Sequence, residues 1–115
     1  THDNDTIVGW WRSQAGEGST RDEAAVSREH DYALKYLGTD GAEIQWDLIR
    51  AVWASVAHTA IAPLQDVLGV GNEGRMNLPA STSGNWSWRY ADGALTEEIG
   101  ERLKELTETY GRTAK

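Results

Sequence analysis

The strongest constraint on the fold is an amphipathic helix pattern that leads directly into a short apolar run. Apolar residues recur at steps of four, with two more beside them, and form one wide face: Ile44, Leu48, Val52 and Val56, then Ile49 and Trp53. Such spacing predicts an α-helix, and Asp40-x-x-Glu43 has the form of a capping box at its start. Residues 57–62 then form an almost wholly apolar run that Pro63 ends. We predict a strand there that is buried on both faces, as in parallel sheets.

The other helices are predicted from end signals and apolar spacing. The first covers residues 20–37, opens with the capping box Thr20-x-x-Glu23 and ends before Gly38. One helical turn is predicted over residues 64–68, and a last helix over residues 96–110, before Gly111. A short helix capped by Asp5 or Thr6 is predicted to end at Trp11. The segment from Thr1 to Asp3 has the character of a strand end. The order of strand end, helices, strand, long loop and helix indicates two β-α units and an α/β fold.

Two strands do not make a stable parallel sheet by themselves. We therefore expect the chain to be an incomplete domain, residues 1–115 being the C-terminal part of a domain whose remainder lies upstream of Thr1.

Composition narrows the classes of partner. The 115 residues carry 18 acidic and 11 basic side chains, which give a net charge of −7. Because a negative charge repels the phosphate backbone, we expect no nucleic-acid partner. No cysteine is present, which excludes disulfides and thiolate metal sites. No apolar run approaches the roughly 18 residues of a membrane span, so we expect no membrane partner.

His2 and Asp3 are the first candidate site, because they stand where a strand passes into a loop. In (β/α)8 barrels the chemistry lies at the C-terminal ends of strands. The alternative is that Asp3 or Asp5 only caps the helix that follows. A calcium site over Asp3-Asn4-Asp5 is disfavoured, because Ile7 occupies the third ligand position of an EF-hand loop.

The loop of residues 69–88 is long and rich in Gly, Asn and Ser. Loops of this length are typical of functional segments. Its glycines match the dinucleotide fingerprint G-x-G-x-x-G over residues 69–74. That motif must follow a strand and open a helix, and here a helical turn precedes it and Pro79 follows. We interpret the Trp86-Ser87-Trp88-Arg89 segment as an anchor of this loop, with sugar stacking as the alternative.

Four segments resemble, in the same order, those of the 4-α-glucanotransferases, which include bacterial amylomaltases and plant disproportionating enzymes. They are Thr1-His2-Asp3-Asn4-Asp5-Thr6, Gln65-Asp66-Val67-Leu68-Gly69, Arg75-Met76-Asn77-Leu78-Pro79 and Asn85-Trp86-Ser87-Trp88-Arg89. The resemblance implies the C-terminal quarter of a (β/α)8 TIM barrel: the end of strand seven, helices, strand eight and the final helix.

The resemblance also implies the roles of three residues. Asp3 matches a third, transition-state-stabilising carboxylate, and His2 and Asn77 match substrate contacts. The nucleophile and the acid/base of the retaining reaction are expected upstream of Thr1. The implied substrates are maltooligosaccharides and α-1,4-glucans, with no cofactor and no metal, in the cytoplasm or alternatively a plastid. An amylase-type hydrolase and a non-catalytic glucan-binding module remain alternatives. We expect the isolated chain to fold poorly.

Overall fold

The structure is a computed structural model that describes residues 4–13 and 22–113. Within those residues five α-helices and one 3₁₀ helix are joined by loops, without any strand: α1 (Ile7–Arg12), α2 (Glu23–Leu37), α3 (Ile44–Trp53), α4 (Leu64–Val67), the 3₁₀ helix (Asn72–Gly74) and α5 (Glu97–Thr109). No helix in this part of the chain has both the length and the apolarity to cross a bilayer.

Helix α3 lies at the centre of the core. Its Trp46 and Ile49 pack with Val67 of α4 and Leu106 of α5, and Ile49 has the most deeply buried large side chain of the described residues. Partly buried apolar side chains surround this cluster: Trp53, Ala62, Leu64, Ile99, Leu103 and Tyr110. Burial of this apolar stripe is what makes the helix predicted from the sequence stable.

The helix ends one turn earlier than the apolar spacing predicted. Trp53 is its last residue, Val52 is 41% exposed, and Val56 lies beyond the helix with its side chain fully exposed. The predicted capping box is also absent: the Asp40 carboxylate accepts a hydrogen bond from the Ala42 N–H at 3.0 Å, in the turn before the helix. The spacing therefore identified the helix but placed both of its ends wrongly.

The buried strand predicted over residues 57–62 is wrong. The segment has no strand structure, and Ile61 is 80% exposed. A strand is stable only when its backbone pairs with neighbouring strands, and the described part of the chain offers none. The carbonyl oxygens of Ala57 and His58 instead accept hydrogen bonds from the Arg112 guanidinium, at 2.9 and 3.4 Å.

The other predicted helices are present, with adjusted starts. Helix α2 is capped by Asp22, whose carboxylate accepts from the Ala25 N–H, and Thr20 of the predicted box lies outside the described residues. Gly38 ends α2 in the left-handed conformation (φ 66°), as predicted. Thr96 caps α5 through the Ile99 N–H at 3.3 Å. Local capping chemistry therefore decided most helix ends.

Arg102 joins α5 to the start of α3. Its guanidinium makes two hydrogen bonds to the Glu43 carboxylate, at 2.7 and 2.9 Å, and lies 4.5 Å from the centre of the Trp46 ring. The Arg102 hydrogen bond holds the pKa of Glu43 below its ordinary value. The pair is exposed to solvent, so its main effect is orientation rather than stability.

Candidate functional site

The described residues begin at Asn4, so the predicted site residues His2 and Asp3 lie outside them. Asn4 and Asp5, which follow them directly in sequence, line a cleft of about 430 Å³. The opposite side of the cleft comes from α4 and the segment after the 3₁₀ helix, through Gln65, Asp66 and Arg75. The cleft therefore joins three of the four sequence segments that carried the family resemblance.

The start of α1 is held tightly beside this cleft. Thr6 is 5% exposed and its hydroxyl accepts from the Gly9 N–H at 3.0 Å, which is the ordinary cap for an N-terminal helix amide. The Asp5 carboxylate accepts from the Thr6 N–H at 2.8 Å. A Cβ atom at position 9 would lie 2.5 Å from an Asp5 carboxylate oxygen, so only glycine leaves room for this carboxylate.

Asp66 is a buried carboxylate on the α4 side of the cleft. It is 7% exposed and accepts a hydrogen bond from the Ile7 N–H, 59 residues away in sequence, at 2.8 Å. Burial raises the pKa of Asp66 above its ordinary value, the Ile7 hydrogen bond opposes that rise, and the nearby Asp5 charge adds to it. The charged form is thus disfavoured in place, although a backbone amide supports it.

The neighbouring Gln65 holds the next segment of the chain. Its side-chain amide donates to the Gly74 carbonyl oxygen at 3.1 Å, at the end of the 3₁₀ helix. Gly74 is buried, and a Cβ atom there would meet Val70 at 2.6 Å. The single turn α4 therefore contacts the start of α1 through Asp66 and the loop before Asn77 through Gln65.

Asn77 is half-buried in the loop that follows. Its carbonyl oxygen accepts from the Arg75 side chain at 3.1 Å, and its neighbours in sequence are held by the Asn85-Trp86 pair. The Leu78 N–H donates to the Asn85 side chain at 2.9 Å, and the Trp86 N–H donates to the Met76 carbonyl oxygen. Met76 lines the cleft, whereas Asn77 itself is not among its lining residues. The structure brings Asn77 next to the cleft without placing it inside.

A second, more polar groove of about 560 Å³ adjoins the cleft, and the two share Asp5 and Arg75. Its polar lining includes Arg12, Asn72, Glu73, Ser81 and Asn85. Amide, carboxylate and guanidinium groups together both donate and accept hydrogen bonds, as a ligand with many hydroxyl groups requires. Among the described residues, no group of three or more His, Asp and Glu side chains is arranged to hold a metal ion.

The two tryptophan doublets have different environments. Trp10 and Trp11 pack with His30 of α2, and the Trp11 and His30 rings stack with centres 4.2 Å apart. The Trp10 indole N–H also donates to Glu29. The Trp86 side chain is 54% exposed, while its backbone holds the loop. The first doublet thus fixes α1 on α2, and the second belongs to a segment that anchors its loop through Asn85 and the backbone of Trp86.

Asp66 and Arg75 are the residues that sequence reasoning missed. Both stood in the segments that carried the resemblance, but no role was assigned to either. The sequence held one signal for Asp66. This carboxylate lies in a one-turn helix directly after an apolar run and Pro63, where a side chain is expected to have little contact with solvent. Its partner, the Ile7 N–H, could not be read from the sequence.

Known proteins resemble this chain over nearly its whole length. The profile of the 4-alpha-glucanotransferase family matches residues 1–96. The 4-alpha-glucanotransferase of Synechocystis is 46% identical over 113 residues, covering 97% of this chain and 20% of that protein. The chloroplastic/amyloplastic 4-alpha-glucanotransferase of Arabidopsis thaliana is 42% identical over 116 residues, covering 97% of this chain and 18% of that protein.

The fold has a solved counterpart. An amylomaltase from Streptococcus agalactiae, in complex with acarbose, superposes with a TM-score of 0.83 at 34% identity, covering 99% of this chain and 21% of that one. The chain therefore spans about a fifth of the length of the relatives it matches. Profile, sequence identity and fold agree over nearly all of its residues, and the chain belongs to the 4-alpha-glucanotransferase family.

Proposed function

We propose that this chain is part of a 4-α-glucanotransferase, which transfers α-1,4-glucan segments between maltooligosaccharides. The observation that carries the proposal is the family match over residues 1–96, joined to a superposition on an amylomaltase in complex with acarbose. In this proposal the chain is the C-terminal quarter of a (β/α)8 catalytic barrel.

The reaction proceeds with retention of configuration. An upstream carboxylate attacks the anomeric carbon and displaces the leaving sugar, whose oxygen takes a proton from an upstream carboxylic acid. The 4-hydroxyl of the acceptor glucan then attacks the glycosyl-enzyme intermediate and gives its proton to the same acid/base. Hydrolysis is the same second step with water in place of the acceptor, so exclusion of water favours transfer.

Asp3 is the third carboxylate of this site. It accepts hydrogen bonds from hydroxyls of the reacting sugar, and charged acceptors make stronger bonds than neutral ones. A gain that grows as the sugar approaches the oxocarbenium-like transition state raises the rate of the chemical step. Asn4 and Asp5 support this role, since they follow Asp3 in sequence and line a polar cleft.

His2 and Asn77 are substrate contacts in the same proposal. His2 donates to the sugar ring that Asp3 holds, and Asn77 contacts a glucan from the loop beyond the cleft. The hydrogen bonds of Met76 with Trp86 and of Leu78 with Asn85 support the role of Asn77, because they tie down the residues on either side of it. The plastid name of the Arabidopsis relative and the cyanobacterial source of the Synechocystis one suit either a cytoplasmic or a plastid enzyme.

The test uses the full-length protein encoded by the gene that contains this chain. We expect it to convert maltotriose to glucose and a ladder of longer oligosaccharides. The Asp3→Asn variant keeps a side chain of the same size but loses the charge, and we expect kcat to fall by about two orders of magnitude or more. Asp40→Asn is the matched control, because the exposed Asp40 lies outside the cleft.

The products separate the alternatives. Glucose and maltose without a ladder of longer chains would identify a hydrolase instead. Binding of maltooligosaccharides without turnover in either protein would identify a glucan-binding module. Full transferase activity in Asp3→Asn would leave the family activity intact and overturn the role of Asp3.

A further inference from the structure

One buried contact joins the start of α1 to α4 across 59 residues of sequence. The Asp66 carboxylate accepts the Ile7 N–H at 2.8 Å, at the point where the chain leaves the His2-Asp3 pair and enters the helix. We propose that Asp66 is a positioning residue, which fixes the start of α1 and thereby the direction in which the chain presents His2 and Asp3 to substrate. This inference rests on the proposed function.

The contact uses a helix amide that would otherwise lack a partner. The first amides of any helix have no acceptor within it. The Thr6 hydroxyl accepts the Gly9 N–H, three residues into the helix, and Asp66 reaches from another element to accept the N–H of the first helical residue, Ile7. Together with the Asp5 carboxylate on the Thr6 N–H, these acceptors fix three amides within four residues. Asn4 and Asp5, immediately before them, therefore enter the helix in a defined direction.

The choice of a carboxylate is costly for stability. Asp66 is 7% exposed and lies near the Asp5 charge, and both circumstances disfavour its charged form. A neutral acceptor at position 66 would avoid that cost. An apolar residue there would avoid it too, with the Ile7 N–H bonded to water instead. A buried acidic group that persists beside a cleft despite its cost suggests that its geometry matters for the reaction.

The same turn holds the other predicted contact segment. Gln65 donates to the Gly74 carbonyl oxygen at 3.1 Å, three residues before Asn77. Helix α4 thus contacts both segments that carry the proposed substrate residues, and Asp66 accounts for the contact with the His2-Asp3 side. A shift of about 1 Å in a reacting group can cost roughly a hundredfold in rate. Loss of the hydrogen bond between Asp66 and the Ile7 N–H should therefore lower kcat measurably.

The test removes each half of the hydrogen bond in the full-length protein. Asp66→Leu removes the acceptor at similar size. Ile7→Pro removes the donor at the first helical position, where proline is well tolerated, and Thr6 before it already has the extended conformation that a following proline requires (φ −66°, ψ 158°). We expect each to lower kcat by about tenfold to a hundredfold, with KM changed by less than about threefold. Asp66→Asn, which keeps an oxygen acceptor, restores most of kcat.

Two matched controls separate positioning from general damage. Glu97→Pro makes the same change at the first residue of α5, whose cap Thr96 is also extended, and Asp40→Leu removes a carboxylate that accepts from the Ala42 N–H in an exposed turn. Neither is expected to change kcat. The thermal midpoint of every variant shows whether it is folded, and if Asp66→Leu does not fold, Ile7→Pro and Asp66→Asn still decide the matter.

Two double variants give the decisive readout, because residues that act through one contact are not additive. Ile7→Pro combined with Asp66→Leu should cost no more than either alone. Asp66→Leu should cost less in an Asp3→Asn background than in the wild-type protein, since the part of its cost that comes from displacing the Asp3 carboxylate is then already lost. A purely structural role predicts the same loss in both backgrounds, and that result, or wild-type kcat in Asp66→Leu and Ile7→Pro, would overturn the proposal.

The outcomes also distinguish this inference from the proposed function. If Asp3→Asn lowers kcat strongly while Asp66→Leu is fully active, or costs as much in the Asp3→Asn background as in the wild type, only the positioning role fails. If Asp3→Asn retains full activity, the role of Asp3 fails and the positioning role fails with it.

Discussion

At the scale of single residues, the Asp5 carboxylate occupies the space that a side chain at position 9 would need. The Cβ atom of an alanine there would lie 2.5 Å from a carboxylate oxygen and 2.8 Å from the carboxylate carbon. Relief of that overlap would move Asp5 away from the Thr6 N–H, which it now accepts at 2.8 Å. A glycine inside a helix, normally unfavourable, is thus required by its neighbour.

We expect Gly9→Ala to lower the free energy of unfolding by about 1–3 kcal/mol, the usual cost of overpacking. Gly100→Ala is the matched control, since Gly100 lies on the exposed face of α5 with no atom within 4 Å of the added Cβ. The control should raise stability by about 0.5–1 kcal/mol through helix propensity. Urea unfolding of the full-length protein measures both, and equal gains from the two alanines would show that Asp5 does not confine position 9.

At the scale of secondary-structure elements, Arg112 connects the end of α5 to the end of α3. Its guanidinium donates to the Trp53 carbonyl oxygen at 2.8 Å, and to those of Ser55, Ala57 and His58 at 3.2, 2.9 and 3.4 Å. A helix end leaves carbonyl groups without intrahelical partners, and a planar guanidinium reaches several of them at once. Arg112 therefore holds the segment that the sequence predicted to be a strand.

We expect Arg112→Lys to lower the free energy of unfolding by about 2 kcal/mol, because the ammonium group cannot reach all of these oxygens and charged hydrogen bonds each contribute about 1.5–3 kcal/mol. Faster hydrogen exchange in the residues 55–60 should accompany the loss. Arg28→Lys, on the exposed face of α2, is the control and should change neither quantity. Unchanged exchange in Arg112→Lys would mean that other contacts hold this segment.

At the scale of the whole molecule, the described residues leave much apolar surface uncovered. Val56, Ile61, Tyr32 and Tyr36 are 72% or more exposed, and among the described residues Ile49 is the one large side chain that is fully buried. Exposed apolar area of this kind marks a surface that another part of a protein covers. The chain spans about a fifth of the length of its relatives, so under the proposed function the rest of such a protein would cover this surface.

We expect the isolated chain of residues 1–115 to unfold without a sharp cooperative transition and to bind a hydrophobic dye, since its buried core is small. Calorimetry and dye fluorescence measure both properties, with the full-length protein as the cooperative reference. A sharp transition with well-dispersed amide NMR signals from the isolated chain would show that its own core suffices for folding.

Local sequence decided the helices of this protein, because the signals for a helix lie within a few residues of one another. Apolar spacing located α3, and Thr6, Thr96 and Gly38 marked helix ends that the structure confirms. The family was also readable from four short segments. Residue pairs far apart in sequence were not readable, because no local pattern specifies which distant group will meet which.

Tertiary structure alone decided the strand and the geometry of the cleft. Residues 57–62 have the composition of a buried strand, but a strand exists only where other strands satisfy its backbone, and Arg112 takes that place for two of its carbonyl groups. The partnership of Asp66 with Ile7 likewise arises only when α4 packs beside α1. Short-range hydrogen bonds and apolar periodicity are encoded locally, whereas sheet pairing and buried polar contacts depend on the elements that the completed fold brings together.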